Sequence, residues 1–390
     1  MHIPMSSPDL TDAEISAVNQ VLHTSFLSIG PQIIAFEQAV ADYIGTSFAA
    51  GVNSGTSGLH LCVIAAEAEE GDLIVTTPFS FVASANAALY ERAIPLFVDV
   101  DPQTGNIHPD LAAEAVSDLV RGGSAAQRWL PRNVSSTAVR RVKALMPVHA
   151  FGQPADMDPL AALAQQYGLA VIEDACEAIG AEYKGRKAGT LGDAAVFAFY
   201  PNKQMTTGEG GMITTNDADW ANLFRSLRNQ GRDIFDAWLN HSRLGYNYRL
   251  DELSAALGLV QVQRIEELLT KRERVAGWYN ERLAAIEWIE RPTIVPATTR
   301  MSWFVYVVRI SPPYQRNAVM QHLSNAGVPS RPYFSPIHLQ SFYRQRFGYR
   351  CGDFPVTENL GDVSLALPFS GVMTETQVDY VCERLKACVV

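Results

Sequence analysis

Lys203 stands alone between two apolar runs in VFAFYPNKQMTTGEGGMITT (residues 196–215); the first ends at Pro201 and the second begins at Met212. A primary amine delivered into a turn among glycines can form an imine with an aldehyde and, once displaced, can carry protons. A lysine beside glycines is by itself most often a solvated surface residue. The glycines here follow the lysine, so this is not the phosphate-loop pattern GxxxxGK[ST]. Other residues have to decide between the two readings.

VIEDACEA (171–178) is an apolar run that ends in Glu173 and Asp174. It puts a carboxylate at the carboxyl edge of a predicted strand, where open α/β sheets bind their ligands. Asp174 reads either as a turn cap or as the partner of a cationic ring nitrogen. In GVNSGTSGLHL (51–61) a strand runs through Gly55 and Thr56 into a helix, whose free N–H groups and partial positive charge suit a phosphate. Gly55 would let the backbone approach the anion and Thr56 would add a hydroxyl; an ordinary helix cap explains the same residues. Phe81, in PFSFVASANAA (78–88), could stack on a flat ring or pack in a core. An amine, a carboxylate 29 residues before it, a phosphate nest and an aromatic face are the separate requirements of one cofactor, pyridoxal phosphate. Its protonated pyridinium draws electrons from a substrate carbanion and needs a carboxylate partner.

The elements that must position these groups follow from periodicity. TDAEISAVNQVLHT carries a capping box, Thr11 with Glu14, and apolar residues at helical spacing; a second helix spans QIIAFEQAVADYI up to Gly45. Short apolar runs (FAAGV, DLIVTTP, IPLFVDV, VKALMPVH, LAVIEDA) then alternate with amphipathic segments, which predicts a mainly parallel, doubly wound α/β sheet. From about residue 250 the texture changes. DELSAALGLVQVQRIEELLTKRERVAGWYNERLAAI reads as one long helix or a kinked pair, followed by strand-like WFVYVVRI and helices near RNAVMQHLSNAG and TETQVDYVCERLKACV. The expected organisation is a large domain, 1–249, and a smaller α+β domain, 250–390. RGGSAAQRWLPRNVSSTAVRR (121–141) reads as an inserted loop.

Composition narrows the partners. The 390 residues are 47% hydrophobic and carry a formal charge of −10, with a pI near 5.3, and no basic stripe of the kind nucleic acid requires is present. Five scattered cysteines form no CxxC pair and no metal-site spacing, so free thiols in a reducing compartment and no metal are expected. No 18-residue apolar run and no basic–apolar leader occur, and a cytoplasmic protein with neither membrane nor nucleic-acid partners is the expectation.

The chain resembles the DegT-like nucleotide-sugar aminotransferases, a branch of the fold-type-I pyridoxal phosphate enzymes that includes the perosamine synthases. The likeness runs through SIGPQIIAFEQAVADYIG, VNSGTSGLHL, PFSFVASANA, MPVHAFGQPADMDPL, LGYNYRLDELSAALGL and SRPYFSPIHLQSFY. Its most specific part is the block VIEDACEAIGAEYKGRKAGTLGDAAVFAFYPNKQMTTGEGGMITTND. The resemblance implies a seven-stranded sheet, an internal aldimine on Lys203 and a pairing of Asp174 with the pyridinium. It implies Glu177 near the ring hydroxyl, Gly55 and Thr56 at the phosphate and Phe81 on the ring. Asn247 would reach the phosphate of a neighbouring subunit, making a homodimer with shared active sites. Arg331 and His338 would lie near the sugar. The implied reaction moves an amino group from L-glutamate to a nucleotide-linked keto-sugar.

Lys184, Arg186 and Lys187, at the tip of EYKGRKAG, could meet the diphosphate, although a solvated turn explains them as well. The family often has Ser five residues before the lysine; Ala198 stands there, so another group, Asn202 for example, would have to supply that phosphate contact. The 121–141 segment is also long for the family. Three other functions fit the same motifs: amination of a cyclitol ketone, a regulatory protein that binds the cofactor without turnover, and a sugar dehydratase. The last resembles members in which histidine replaces the lysine present here.

Overall fold

The computed structural model describes residues 2–233 and 240–388. Nine strands precede residue 216: β1 (Phe48–Val52), β2 (Leu73–Thr76), β3 (Ile94–Phe97), β4 (Val142–Leu145), β5 (Ala170–Asp174), β6 (Glu182–Tyr183), β7 (Arg186–Lys187), β8 (Ala194–Ala198) and β9 (Gly211–Thr215). Seven of them form one sheet in the order β1-β9-β8-β5-β4-β2-β3, and β6 with β7 makes a separate short hairpin. β9 is antiparallel to both of its neighbours, and the other six strands point the same way. β2, β3 and β9 are buried at every position, as strands covered on both faces must be.

This topology collects the carboxyl ends of β1, β2, β5 and β8 along one edge. β9 starts at that same edge, with Gly211 opposite both Val52 and Ala198. The strand expected to run to Tyr200 stops at Ala198. Phe199 still bonds across to Gly210, but the Tyr200 carbonyl accepts from Lys203 N at 2.9 Å and closes a turn, so the chain leaves the sheet there.

The 121–141 segment is more than a loop. It contains a short helix, Gly123–Gln127, and a 3₁₀ turn, Ser136–Ala138. Leu130 is buried in the core beneath β2, β3 and β4 together with Tyr343, Phe347 and Tyr349. Arg132 forks onto Asp353 at 2.5 and 2.6 Å, and Asn133 bonds the carbonyls of Phe347 and Gln345. The insert is therefore stitched to the segment that follows His338.

The predicted long helix is a pair, Glu252–Gln263 and Ile265–Leu283, broken at Arg264. The first packs with Phe36 and Val40 in the core of the large unit. A separate core begins near Val275 and joins Tyr279, Tyr306, Leu365, Val381 and, from the other end of the chain, Ile3. The remaining strands are β10 (Ile289–Glu290), β11 (Thr298–Arg300), β12 (Tyr306–Ile310), β13 (Arg331–Pro332) and β14 (Ser364–Leu367). Four of these form an antiparallel sheet, β10-β12-β14-β13, whereas β11 crosses back to pair with β6 of the large unit.

Candidate active site

Successive residues of a strand point to opposite faces, and β5 uses this to separate two adjacent carboxylates. Glu173 is fully buried and accepts from His149 Nε2 (2.9 Å) and from the backbone N–H groups of Gly189 (2.9 Å), Leu191 (2.7 Å) and Gly192 (2.9 Å). Four donors satisfy it, and its work is to hold the loop before β8. Asp174 accepts Ser84 Oγ at 2.7 Å on one oxygen and a longer contact from Cys176 N at 3.3 Å on the other. It keeps acceptor capacity for a further donor.

Lys203 is near enough to Asp174 for both groups to act on Cys176 and Glu177. Its side chain is 13% exposed, with Nζ 3.5 Å from Glu177 Oε1 and 3.9 Å from the centre of the Phe304 ring. Glu177 also accepts from Phe151 N at 2.9 Å. Burial pushes the Glu177 carboxyl above its ordinary value, with the Lys203 charge pulling the other way and the Asp174 charge adding to the rise. The thiol of Cys176 likewise responds to both Asp174 and Lys203, mainly after burial. Amine and carboxylate therefore share one small neighbourhood. Gln204 braces it by donating to the Glu177 carbonyl at 2.6 Å and to Ser302 Oγ at 2.8 Å.

The phosphate end is built by close approach. Ser54 caps the helix Gly55–Ala65 by accepting from Ser57 N at 3.1 Å. A Cβ at Gly55 would fall 2.8 Å from both Ala198 Cβ and Cys176 Sγ; one at Gly211 would fall 2.7 Å from the Ser54 carbonyl carbon. Only glycine lets this helix end sit directly on the ends of β8 and β9. Its free N–H groups then open at the same edge as Asp174 and Lys203, with the positive end of the helix dipole.

The remaining predicted residues are scattered. Phe81 follows β2 at that edge and is 65% exposed, presenting a free face rather than packing in the core. It borders a groove of about 850 Å³ that also takes in Tyr90, Tyr333, Phe342 and Arg346. The side chain of Asn247 is exposed, and its carbonyl lies 3.4 Å from Asn53 Nδ2 beside the phosphate end. Arg331 is exposed on β13, and its guanidinium donates to the Ser330 carbonyl at 2.9 Å.

Two expected substrate contacts are otherwise engaged. His338 has no exposed surface and bonds Glu358 through Nε2 at 2.9 Å, so it braces the turn at Cys351–Phe354 instead of facing a ligand. Lys184 bonds Asp158 at 2.6 Å, and Arg186 pairs with the same carboxylate. Lys187 reaches the Tyr43 carbonyl. The hairpin's cationic donors are thus engaged within the protein, with one carboxylate shared by two of the three.

With this geometry in place, relatives can be weighed. The profile of the DegT/DnrJ/EryC1/StrS aminotransferase family matches residues 8–386. The chain belongs to this family. It is similar to the GDP-perosamine synthase of Caulobacter vibrioides, 38% identical over 98% of this chain and 97% of that one. It is also similar to the spore coat polysaccharide biosynthesis protein SpsC of Bacillus subtilis, 33% identical over 98% and 96%. The crystal structure of S. venezuelae DesV with a ketimine intermediate superposes with a TM-score of 0.86 at 29% identity, covering 99% of this chain and 98% of that one.

The protein is a pyridoxal phosphate-dependent sugar aminotransferase, and its residues fit that cofactor. The glycine-lined helix end offers unpaired N–H groups, and Asp174, with one donor on each oxygen, keeps lone-pair capacity for another. The buried amide oxygen of Asn202 has no protein partner.

Sequence reading passed over Ser84, Phe151, Phe304 and Arg272. Ser84 lay inside PFSFVASANA and Phe151 inside MPVHAFGQPADMDPL, so a signal existed for those two. Among the described residues no cluster of His, Cys, Asp or Glu could hold a metal, and no helix is long and apolar enough to cross a membrane.

Proposed function

We propose that the protein, as a homodimer, transfers an amino group from L-glutamate to a nucleotide-linked keto-sugar in two successive half-reactions at one site. Family membership and the likeness to a GDP-perosamine synthase support the sugar acceptor. The observation that carries the reading is the Lys203 amine, nearly enclosed between the Glu177 carboxyl and the Phe304 ring. Bound pyridoxal phosphate supplies an electron sink for a carbanion.

The chain's own groups do the rest. Lys203 Nζ holds the cofactor at rest and moves a proton between carbons once released. Asp174, kept in place by Ser84, balances a positive ring nitrogen and so favours its protonated form. The N–H groups of the Gly55–Ala65 helix and the Thr56 hydroxyl hold the phosphate. Phe81, with its exposed face, would lie against the ring, and the Glu177 carboxyl would accept or share the proton of the ring hydroxyl. Asn247, exposed next to this edge, is free to complete the site of a second subunit.

The test is direct. Reconstituted protein is reduced with borohydride and its peptides are mapped; the pyridoxyl mass is expected on Lys203 and lost if L-glutamate is added first. Nucleotide-linked keto-sugars are then assayed as acceptors of the stored amino group. A pyridoxyl adduct on another lysine, or no response to L-glutamate, sinks the proposal.

A further inference from the structure

Arg272 sits midway along the helix Ile265–Leu283 and is only 3% exposed. Its neighbour Lys271 pairs with Asp9 and Glu267, whereas Arg272 has no carboxylate within ion-pair distance among the described residues. The guanidinium is spent on four carbonyls. Nη1 donates to Trp303 O (3.2 Å) and Phe304 O (3.1 Å), and Nη2 donates to Asn202 O (3.3 Å) and Lys203 O (2.5 Å).

Burying a cation without a counter-charge is costly, and burial lowers this group to about 10. An apolar side chain would fill the space at less electrostatic cost. What only a planar fork of donors achieves is to bond two separate backbone segments at once. Those segments fix the amine: one carries Lys203, and the other carries Phe304, whose ring stands 3.9 Å from Nζ. The helix that delivers the fork also runs into the C-terminal core through Val275 and Tyr279.

We infer that Arg272 is a positioning residue for Lys203, clipping the lysine-bearing turn to the Trp303–Phe304 segment and so setting where the ε-amine stands. The inference rests on the assignment of Lys203 as the lysine that holds the cofactor, and its test separates the two.

Arg272→Lys keeps the charge but loses the fork; Arg272→Met loses both. In the full-length protein, amide exchange of the 199–206 and 301–305 peptides is expected to quicken at least about tenfold in Arg272→Lys, with β2–β4 unchanged. In the reconstituted enzyme, the pH at which visible absorbance changes is expected to move, and kcat to fall about tenfold with KM for the amino donor within twofold. Borohydride labelling should remain on Lys203. Exchange and absorbance matching the parent would overturn the inference, and so would exchange that quickens evenly throughout the chain. Should Arg272→Met fail to fold, Arg272→Lys decides alone. A label found on a different lysine would instead defeat the assignment of Lys203, while the exchange result still reports on the clip.

Discussion

Lys203 and Lys184 both occupy turns, and the protein surrounds them differently. Lys184 is 51% exposed, bonded at 2.6 Å to Asp158, and shares that carboxylate with Arg186. Lys203 is 13% exposed, and its nearest carboxyl oxygen is 3.5 Å away, on a group that burial drives toward its neutral form. A firm ion pair pins an amine in its charged state. A loose pairing beside an aromatic ring leaves the amine uncommitted to any one carboxylate, as covalent chemistry at its nitrogen requires. Enclosure with incomplete neutralisation, more than charge itself, distinguishes the lysine proposed to hold the cofactor from the surface one.

The comparison breaks hardest at Lys203. Lys203→Ala is expected to remove the borohydride label and to lower transamination by at least about 10³-fold, since nucleophile and proton carrier are lost together. The fold should stay intact, because the backbone N–H and carbonyl of residue 203 make its turn and clip bonds. Turnover near the parent rate would show that another amine does the work.

A second prediction concerns the enclosure. Gly211→Ala places a methyl 2.7–2.8 Å from backbone atoms of Ser54 and Gly55, where no flexible side chain can yield. Overpacking of this kind costs about 1–3 kcal/mol and pushes the helix end off the sheet edge. Thermal melting should fall, and cofactor affinity should drop roughly tenfold for a shift of that size. Unchanged affinity would mean that the helix N-terminus does not hold the phosphate.

These two sites also show what a sequence can disclose. The sheet was legible because strands buried on both faces must be apolar runs, and β2, β3 and β9 are. Asp174 and Gly55 were legible because the end of such a run fixes the sheet edge on which a residue lies. Arg272 was not. An arginine between Lys271 and Glu273 on an amphipathic helix looks like solvated surface, and only the tertiary fold shows its four carbonyl acceptors. His338 and Lys184 show the opposite: the family resemblance put one near the sugar and residue type offered the other to a diphosphate, but Glu358 and Asp158, 20 and 26 positions away, engage them. Partners distant in sequence are what spacing rules do not see.

Glu177 sharpens the contrast through pH. Its carboxyl is raised from the usual 4.5 by burial, so the folded state holds that proton more tightly than the unfolded chain does. The associated stability is complete below about 4.5 and is lost as pH climbs through the folded value. Glu177→Gln removes this dependence while keeping an acceptor for Phe151 N. Melts of the cofactor-free proteins should agree near pH 4.5, and the variant's melting temperature should rise relative to the parent's as the pH climbs toward about 8. A parent that gains stability relative to the variant over that range would mean that the Lys203 charge outweighs burial.

The smallest effect belongs to the hairpin. Lys184 and Arg186 converge on Asp158, so deleting one cation leaves the carboxylate paired with the other. Exposed pairs of this kind contribute little, because water and salt already screen them. Lys184→Ala is therefore expected to leave the melting temperature unchanged and KM for a nucleotide-linked sugar within about twofold of the parent, a free-energy change under about 0.5 kcal/mol. A tenfold rise in KM with unchanged kcat would show that the hairpin releases Asp158 to meet a diphosphate. The working distinction between enclosed and exposed lysines would then hold for catalysis but not for binding.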